Sequence, residues 1–123
     1  MKQPITRQMH GFADYSYIPA IAAAPEAVGF TEEKTATTLC RVMSGGILMT
    51  SLMTRAEWGA FKLIPFKAHL ALDFAVGLFT MSAPWVFNFA DNEKARNTFL
   101  ALGATSVLAA SLSQPEEMDE LEY

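Results

Sequence analysis

Four apolar stretches, at about residues 12–30, 36–54, 68–89 and 98–112, are separated by polar or charged segments. Three approach the twenty or so residues that carry an α-helix across a bilayer, and the fourth is shorter. A helix of a soluble bundle sets an apolar stripe against a charged face. None of these stretches does so: Thr, Ser and Gly are scattered around the whole circumference, and residues 98–112 carry no charge at all. The pattern therefore predicts an all-α protein of four transmembrane helices rather than a soluble four-helix bundle. Thr31-Glu32-Glu33-Lys34-Thr35 and Asp91-Asn92-Glu93-Lys94-Ala95 read as short charged turns, each closing a helical hairpin.

The two hairpins are related in sequence. Residues 10–30, HGFADYSYIPAIAAAPEAVGF, share sparse anchors with residues 69–89, HLALDFAVGLFTMSAPWVFNF. His10, Asp14, Ala24, Pro25 and Phe30 recur 59 residues later as His69, Asp73, Ala83, Pro84 and Phe89. With one residue inserted, at an offset of 60, Glu33-Lys34 match Glu93-Lys94, Thr38 matches Thr98, and Ser51-Leu52 match Ser111-Leu112. The chain thus reads as a tandem duplication of a two-helix unit. Each unit crosses the membrane twice, so the two start on the same side. They are expected to be parallel, related by a pseudo-two-fold axis along the membrane normal. In this reading residues 1–115 form a single membrane domain: repeat one at about 10–54, a linker at 55–67, and repeat two at about 68–114. Residues 116–123 form an acidic tail, expected to be disordered.

The linker, RAEWGAFKLIPFK, mixes Trp58, Phe61 and Phe66 with Arg55, Lys62 and Lys67, which suits a segment lying at the membrane surface. Lys2 and Arg7 ahead of an apolar stretch resemble the start of a signal peptide, but Asp14 and Pro19 interrupt it and the pattern returns in mid-chain, so the segment is expected to be retained. Lys2, Arg7, Arg55, Lys62 and Lys67 fall on the side of the termini and linker. The opposite side has Lys34, Lys94 and Arg96, with Arg41 inside the second stretch. The positive-inside rule then places both termini in the cytoplasm, with the protein a multi-pass protein of the inner (cytoplasmic) membrane.

Composition narrows the function. Of 123 residues 51% are apolar and 18% charged, and the net charge of −4 gives no basic face for nucleic acid. No Gly-rich phosphate loop, CxxC, HExxH or GxSxG occurs. Cys40 is the single cysteine and lies in an apolar stretch, as a buried bystander does. Catalysis is therefore disfavoured.

The chemistry on offer is the His/Asp repeat. The i, i+4 spacing stacks His10 on Asp14, and His69 on Asp73, on one face of each helix. If the first and third helices meet, two imidazoles and two carboxylates converge, which suits a metal such as zinc. Two histidines could instead clamp a haem b iron or relay protons. The plainer alternative is that each Asp orients its own His and the groups tie the halves together. Elsewhere, Pro25 and Pro84 should kink their helices, and Trp85 suits the far interface. Glu26 replaces Trp85 in the first repeat and needs a partner in lipid. Arg41 stands at matching depth, with Ala101 as its counterpart at offset 60, so a Glu26–Arg41 salt bridge is expected as structural glue. Gly45, Gly46, Gly77 and Gly103 would permit close helix approach.

These residues resemble the SPW-repeat family of small integral membrane proteins, whose repeat is a pair of transmembrane helices with Ser-Pro-Trp in the first. Ala83-Pro84-Trp85 stands close to that motif, and Ala24-Pro25-Glu26 is a diverged copy. The resemblance runs from His10 to Pro115 and implies fold and membrane location. The resulting expectation is a structural or accessory membrane protein without catalysis, in a homo-oligomer or larger membrane complex. The alternative is a metal- or haem-binding redox or proton-relay protein built on His10, Asp14, His69 and Asp73.

Overall fold

A computed structural model describes residues 3–118. Four long helices account for most of them: α1 (Arg7–Ala24), α2 (Lys34–Leu52), α3 (Phe66–Val86) and α4 (Glu93–Leu112). Among the described residues there is no strand beyond two isolated parallel bridges, Ile5 with Ser113 and Ile64 with Thr54. The closest backbone packing is α3 on α4, followed by α1 on α2.

Helix ends follow local chemistry. The Thr6 hydroxyl accepts from the Met9 N–H at the start of α1, and Asn92 Oδ1 accepts from the Ala95 N–H at the start of α4. At the other end α1 widens into a π-helical turn, Pro25–Gly29, which closes with Gly29 at φ 93°. The matching residue 59 positions on is Asn88, at φ 60°. Glycine and asparagine are the residues that tolerate this left-handed geometry at a helix C-terminus. After each comes a buried phenylalanine, Phe30 or Phe89, whose N–H bonds the carbonyl of Pro25 or Pro84 at 2.9 and 2.8 Å. The prolines thus end or loosen their helices rather than hinge them midway.

The expected one-residue insertion is absent. Helix α4 starts 59 residues after α2, and buried Ala36, Cys40, Ser44 and Ser51 correspond to buried Ala95, Phe99, Gly103 and Ala110 at that same offset. Arg41 is therefore equivalent to Leu100, not Ala101. The identities at offset 60 lie one position out of structural register.

Of the four expected glycines, two are used. A Cβ on Gly77 or Gly103 would lie 2.8 or 2.6 Å from the other's carbonyl oxygen, so α3 and α4 touch backbone to backbone. Gly45 and Gly46 have nothing within 4 Å of such a Cβ. In the other helix pair Ser44 takes the position of Gly103 and donates to the Ile18 carbonyl at 2.9 Å.

Segments 3–6, 53–65 and 113–118 meet at one end of the helices. Arg7 holds Glu57 through two bonds of 2.8 and 3.0 Å, and Trp58 Nε1 donates to the Gln8 carbonyl at 3.0 Å. Gly11 leaves room for the Trp58 ring, which a Cβ would meet at 2.4 Å. The tail is not wholly free. Glu117 accepts from the Phe66 and Lys67 N–H groups at 2.7 and 3.0 Å, capping α3 where the preceding Pro65 supplies no side-chain acceptor, and Met118 is buried. Residues 119–123 of the tail, and Lys2, lie outside the described residues.

Candidate functional site

His10 and Asp14 stand one turn apart near the start of α1, and His69 and Asp73 stand likewise on α3. The two faces meet. His10 is 1% exposed and His69 2%, and their rings lie edge to face with centroids 5.4 Å apart. The shorter contacts cross between helices: His10 Nε2 to Asp73 Oδ2 and His69 Nε2 to Asp14 Oδ2 are both 2.8 Å. The contacts within each helix are 3.2 Å for His10–Asp14 and 3.1 Å for His69–Asp73. The expectation that each Asp orients its own His is thus corrected, because each carboxylate sits closer to the imidazole of the other helix. The four contacts close a ring in which imidazole and carboxylate alternate.

The outer nitrogens are also held alike. His10 Nδ1 meets Ser113 Oγ, and His69 Nδ1 meets Thr54 Oγ1, both at 2.7 Å. Each hydroxyl donates its proton to the carbonyl four residues back, Ala109 or Thr50, at 2.5 Å. A hydroxyl has one proton to give. It therefore accepts from the imidazole, which places a proton on each Nδ1 and turns each Nε2 inward. Thr54 and Ser113 were missed from sequence because they pair at offset 59, a match hidden by aligning the second helices at 60. Phe66 covers the imidazoles, parallel to His69 at 6.2 Å and edge-on to His10 at 5.6 Å.

On their less covered side Asp14 and Asp73, with side chains 13% exposed, line a cavity of about 50 Å3 together with Tyr17, Ile47, Thr105 and Ser106. In this arrangement the carboxylates, not a macrocycle, occupy the space between the histidines. A carboxylate oxygen lies within 3.2 Å of both Nε2 atoms.

The remaining sequence candidates lie at the other end. Arg41 holds Glu26 through Nη2–Oε2 at 2.5 Å and Nη1–Oε1 at 3.1 Å, and also donates to the Ala22 carbonyl. The expected pair forms, but both side chains are about half exposed, so it is a surface clasp rather than a buried one. Pro25 and Pro84 are buried beside a core built of Phe30, Phe89, Phe99, Cys40 and Ile21, whereas Trp85 is exposed. These residues do not join the His/Asp group.

A sequence profile of the SPW repeat domain matches residues 8–113, a span that includes both His/Asp pairs and all four helices. The chain belongs to the SPW repeat family. No curated protein and no solved structure shows significant similarity to it. Membership of this family points to a small membrane-type protein, and α3 is long and apolar enough to cross a bilayer, with mean hydropathy 1.2 over its best window. Among the described residues it is the one helix that passes this test; the others are diluted by Thr, Ser, Gly and charged residues.

Proposed function

We propose that this SPW-repeat protein is a four-span membrane protein with a structural or accessory role, whose two helix pairs are held together by the buried His/Asp group. The observation that carries this reading is a set of buried polar side chains beneath a broadly apolar surface. His10, Ser44, Ser51, Thr54, His69, Thr80 and Ser113 are buried, while Phe12, Val42, Met49, Phe74, Trp85 and Leu108 point outward, the last six drawn from all four helices. In water such a surface would be an aggregation liability. In lipid it is the expected arrangement, because polar side chains turn from the hydrocarbon towards helix–helix contacts.

Two hairpins in parallel then form a bundle with its pseudo-two-fold axis along the membrane normal, both termini and the linker at the cytoplasmic face of the inner membrane. The recurrence of burial, helix ends and His partners at one offset supports that symmetry. Arg7, Lys62 and the exposed rings of Trp58 and Phe61 suit a headgroup layer at that face. Ser113 and Thr54 do meet the imidazoles, but both hydroxyls are buried and give their protons to backbone carbonyls rather than to the histidines, which favours a non-catalytic role within a homo-oligomer or larger membrane complex.

Topology tests the reading directly. In a Cys40→Ala background, Glu32→Cys and Asp91→Cys should react with an impermeant maleimide from outside intact cells. Lys62→Cys should react only after the membrane is opened. Labelling of all three from one side would remove the four-span arrangement, and release of the protein by alkaline washing would remove membrane insertion altogether.

A further inference from the structure

The hydrogen inventory of the His/Asp group leaves its centre unfilled by the protein's own donors. Each imidazole spends its Nδ1 proton on a hydroxyl, Ser113 or Thr54. A neutral imidazole then presents a lone pair at Nε2, and an ionised carboxylate presents lone pairs at Oδ2. Four such atoms at 2.8–3.2 Å from their neighbours repel one another unless positive charge lies among them. Two added protons or one divalent cation satisfy the same count.

The shape of the whole group favours the cation. A proton lies on one line between a donor and an acceptor. Here each Nε2 has one carboxylate at 2.8 Å and the second at 3.2 Å for His10 and 3.1 Å for His69, so each carboxylate oxygen is shared between both imidazoles rather than paired with one. One ligand atom from each of the four residues lies within 4.8 Å of the other three, close enough for one cation to bridge them. Tetrahedral zinc with bonds of 2.0–2.1 Å needs ligand–ligand edges of about 3.3 Å; the four His–Asp edges, at 2.8–3.2 Å, would open by about 0.1–0.5 Å to reach it. The outer shell has the matching form: metal-bound histidines donate their other N–H to an oxygen that fixes the ring, as both do here.

An independent observation lies beside the group. Ser51 Oγ, on a residue 5% exposed, is the one buried side-chain polar atom among the described residues with no hydrogen-bond partner. It lines a second small cavity, about 10 Å3, together with His10, Asp14, Thr54, Phe66 and His69. That is room for about one water bound between a cation and the serine.

We propose that His10, Asp14, His69 and Asp73 bind one divalent cation of the zinc class, through both Nε2 atoms and one oxygen of each aspartate. The cation joins α1 to α3, so the proposal rests on the reading of this group as the tie between the helix pairs and names what closes the tie. Two imidazoles and two carboxylates offer two negative charges to a dication, so the loaded centre is neutral, as a buried site requires. The cavity lined by Asp14 and Asp73 adjoins the carboxylates on their less covered side.

The test uses the full chain in detergent, stripped with chelator and then supplied with Zn2+ or, as a spectroscopic probe, Co2+. Elemental analysis should find one Zn2+ per chain, and Co2+ should give the intense visible bands of a four- or five-coordinate site. His10→Gln with His69→Gln should abolish both. Thr54→Val, which leaves all four ligands in place, should weaken Zn2+ binding by roughly 10–100-fold while the helical content is kept. Sub-stoichiometric Zn2+ in folded wild-type protein overturns the proposal, as does uptake that survives in the double variant. Should the double variant not fold, a six-coordinate, weakly absorbing Co2+ spectrum in the wild type overturns it equally. If metal is absent yet Asp14→Asn still separates the helix pairs, the cation fails and the protein-only tie stands. If metal binds but Asp14→Asn leaves the helix pairs together, the tie itself fails.

Discussion

Replacing Gly103 with alanine places a methyl group between α3 and α4 where no space exists. The new Cβ would stand 2.6 Å from the Gly77 carbonyl oxygen, 2.5 Å from Met81 Cγ and 2.9 Å from the Met81 nitrogen. Ordinary contact begins near 3.4 Å, so the backbones must part by about 0.8 Å. The methionine tip can swing away, but the Gly77 carbonyl and the Met81 nitrogen belong to the helix itself. Overpacking of this kind costs about 1–3 kcal/mol. Alanine also favours a helix over glycine by about 1 kcal/mol, which would mask part of the loss. Gly46→Ala supplies the control, since nothing lies within 4 Å of its Cβ and it gains the same propensity with no clash. The difference between the variants therefore isolates the steric term, and Gly103→Ala should be about 1–3 kcal/mol less stable than Gly46→Ala. Reversible unfolding in mixed micelles with rising SDS fraction, followed by circular dichroism, measures it. Equal stability of the two variants would refute the close backbone contact. Gly77→Ala opens the same interface, so the double variant should lose less than the sum of the singles.

Asp14→Asn and Asp73→Asn each remove one side of a crossed buried pair, and should cost about 3–5 kcal/mol apiece in the same assay; a large inequality between them would contradict their equivalent placement. Glu117→Ala withdraws the acceptor from the Phe66 and Lys67 N–H groups, and should cost about 0.5–2 kcal/mol, as loss of a helix cap does; an unchanged unfolding midpoint would show that the tail does not dock. The Arg7 guanidinium bonded to Glu57 holds that carboxyl below its ordinary value of 4.5. A depressed folded pKa contributes stability above the ordinary value that is lost as pH falls through the folded one. Wild type should therefore lose its advantage over Glu57→Gln in acid below that range, and parallel pH profiles for the two would count against the pair. Gly11→Ala drives the Trp58 ring from its seat; in a Trp85→Phe background the emission should shift to the red, and an unmoved maximum would mean that the linker does not pack there.

Much of the local structure was legible in the residues. The four apolar runs became four helices because backbone hydrogen bonding and apolar content are properties of a segment, and the charged groups at residues 31–35 and 91–95 fell across the turns and the first residues of α2 and α4. The recurrence of His10 and Asp14 as His69 and Asp73 was enough to put each pair on one helix face and to expect the four groups to converge if the first and third helices met, since spacing along a helix fixes height and face together. The SPW-repeat resemblance needed only the anchors around Ala83-Pro84-Trp85.

What the chain alone left open depends on how one helix is rotated and seated against another. Aspartate reaches the imidazole of the neighbouring helix more closely than its own, a choice set by the approach of α1 to α3 and invisible in an i, i+4 spacing. Identities at offset 60 suggested an inserted residue, yet burial, helix starts and the His partners Thr54 and Ser113 all follow offset 59, because packing selects which face turns inward and chance identities do not. Four glycines looked alike; two meet a neighbouring backbone and two face open space. Glu117 caps a helix that begins 51 positions before it, a contact that forms only because an even number of helices returns the chain to the end where α3 starts. Sequence decides what each segment is and which groups it carries. The tertiary arrangement decides which of those groups touch, and at this site that determines its chemistry.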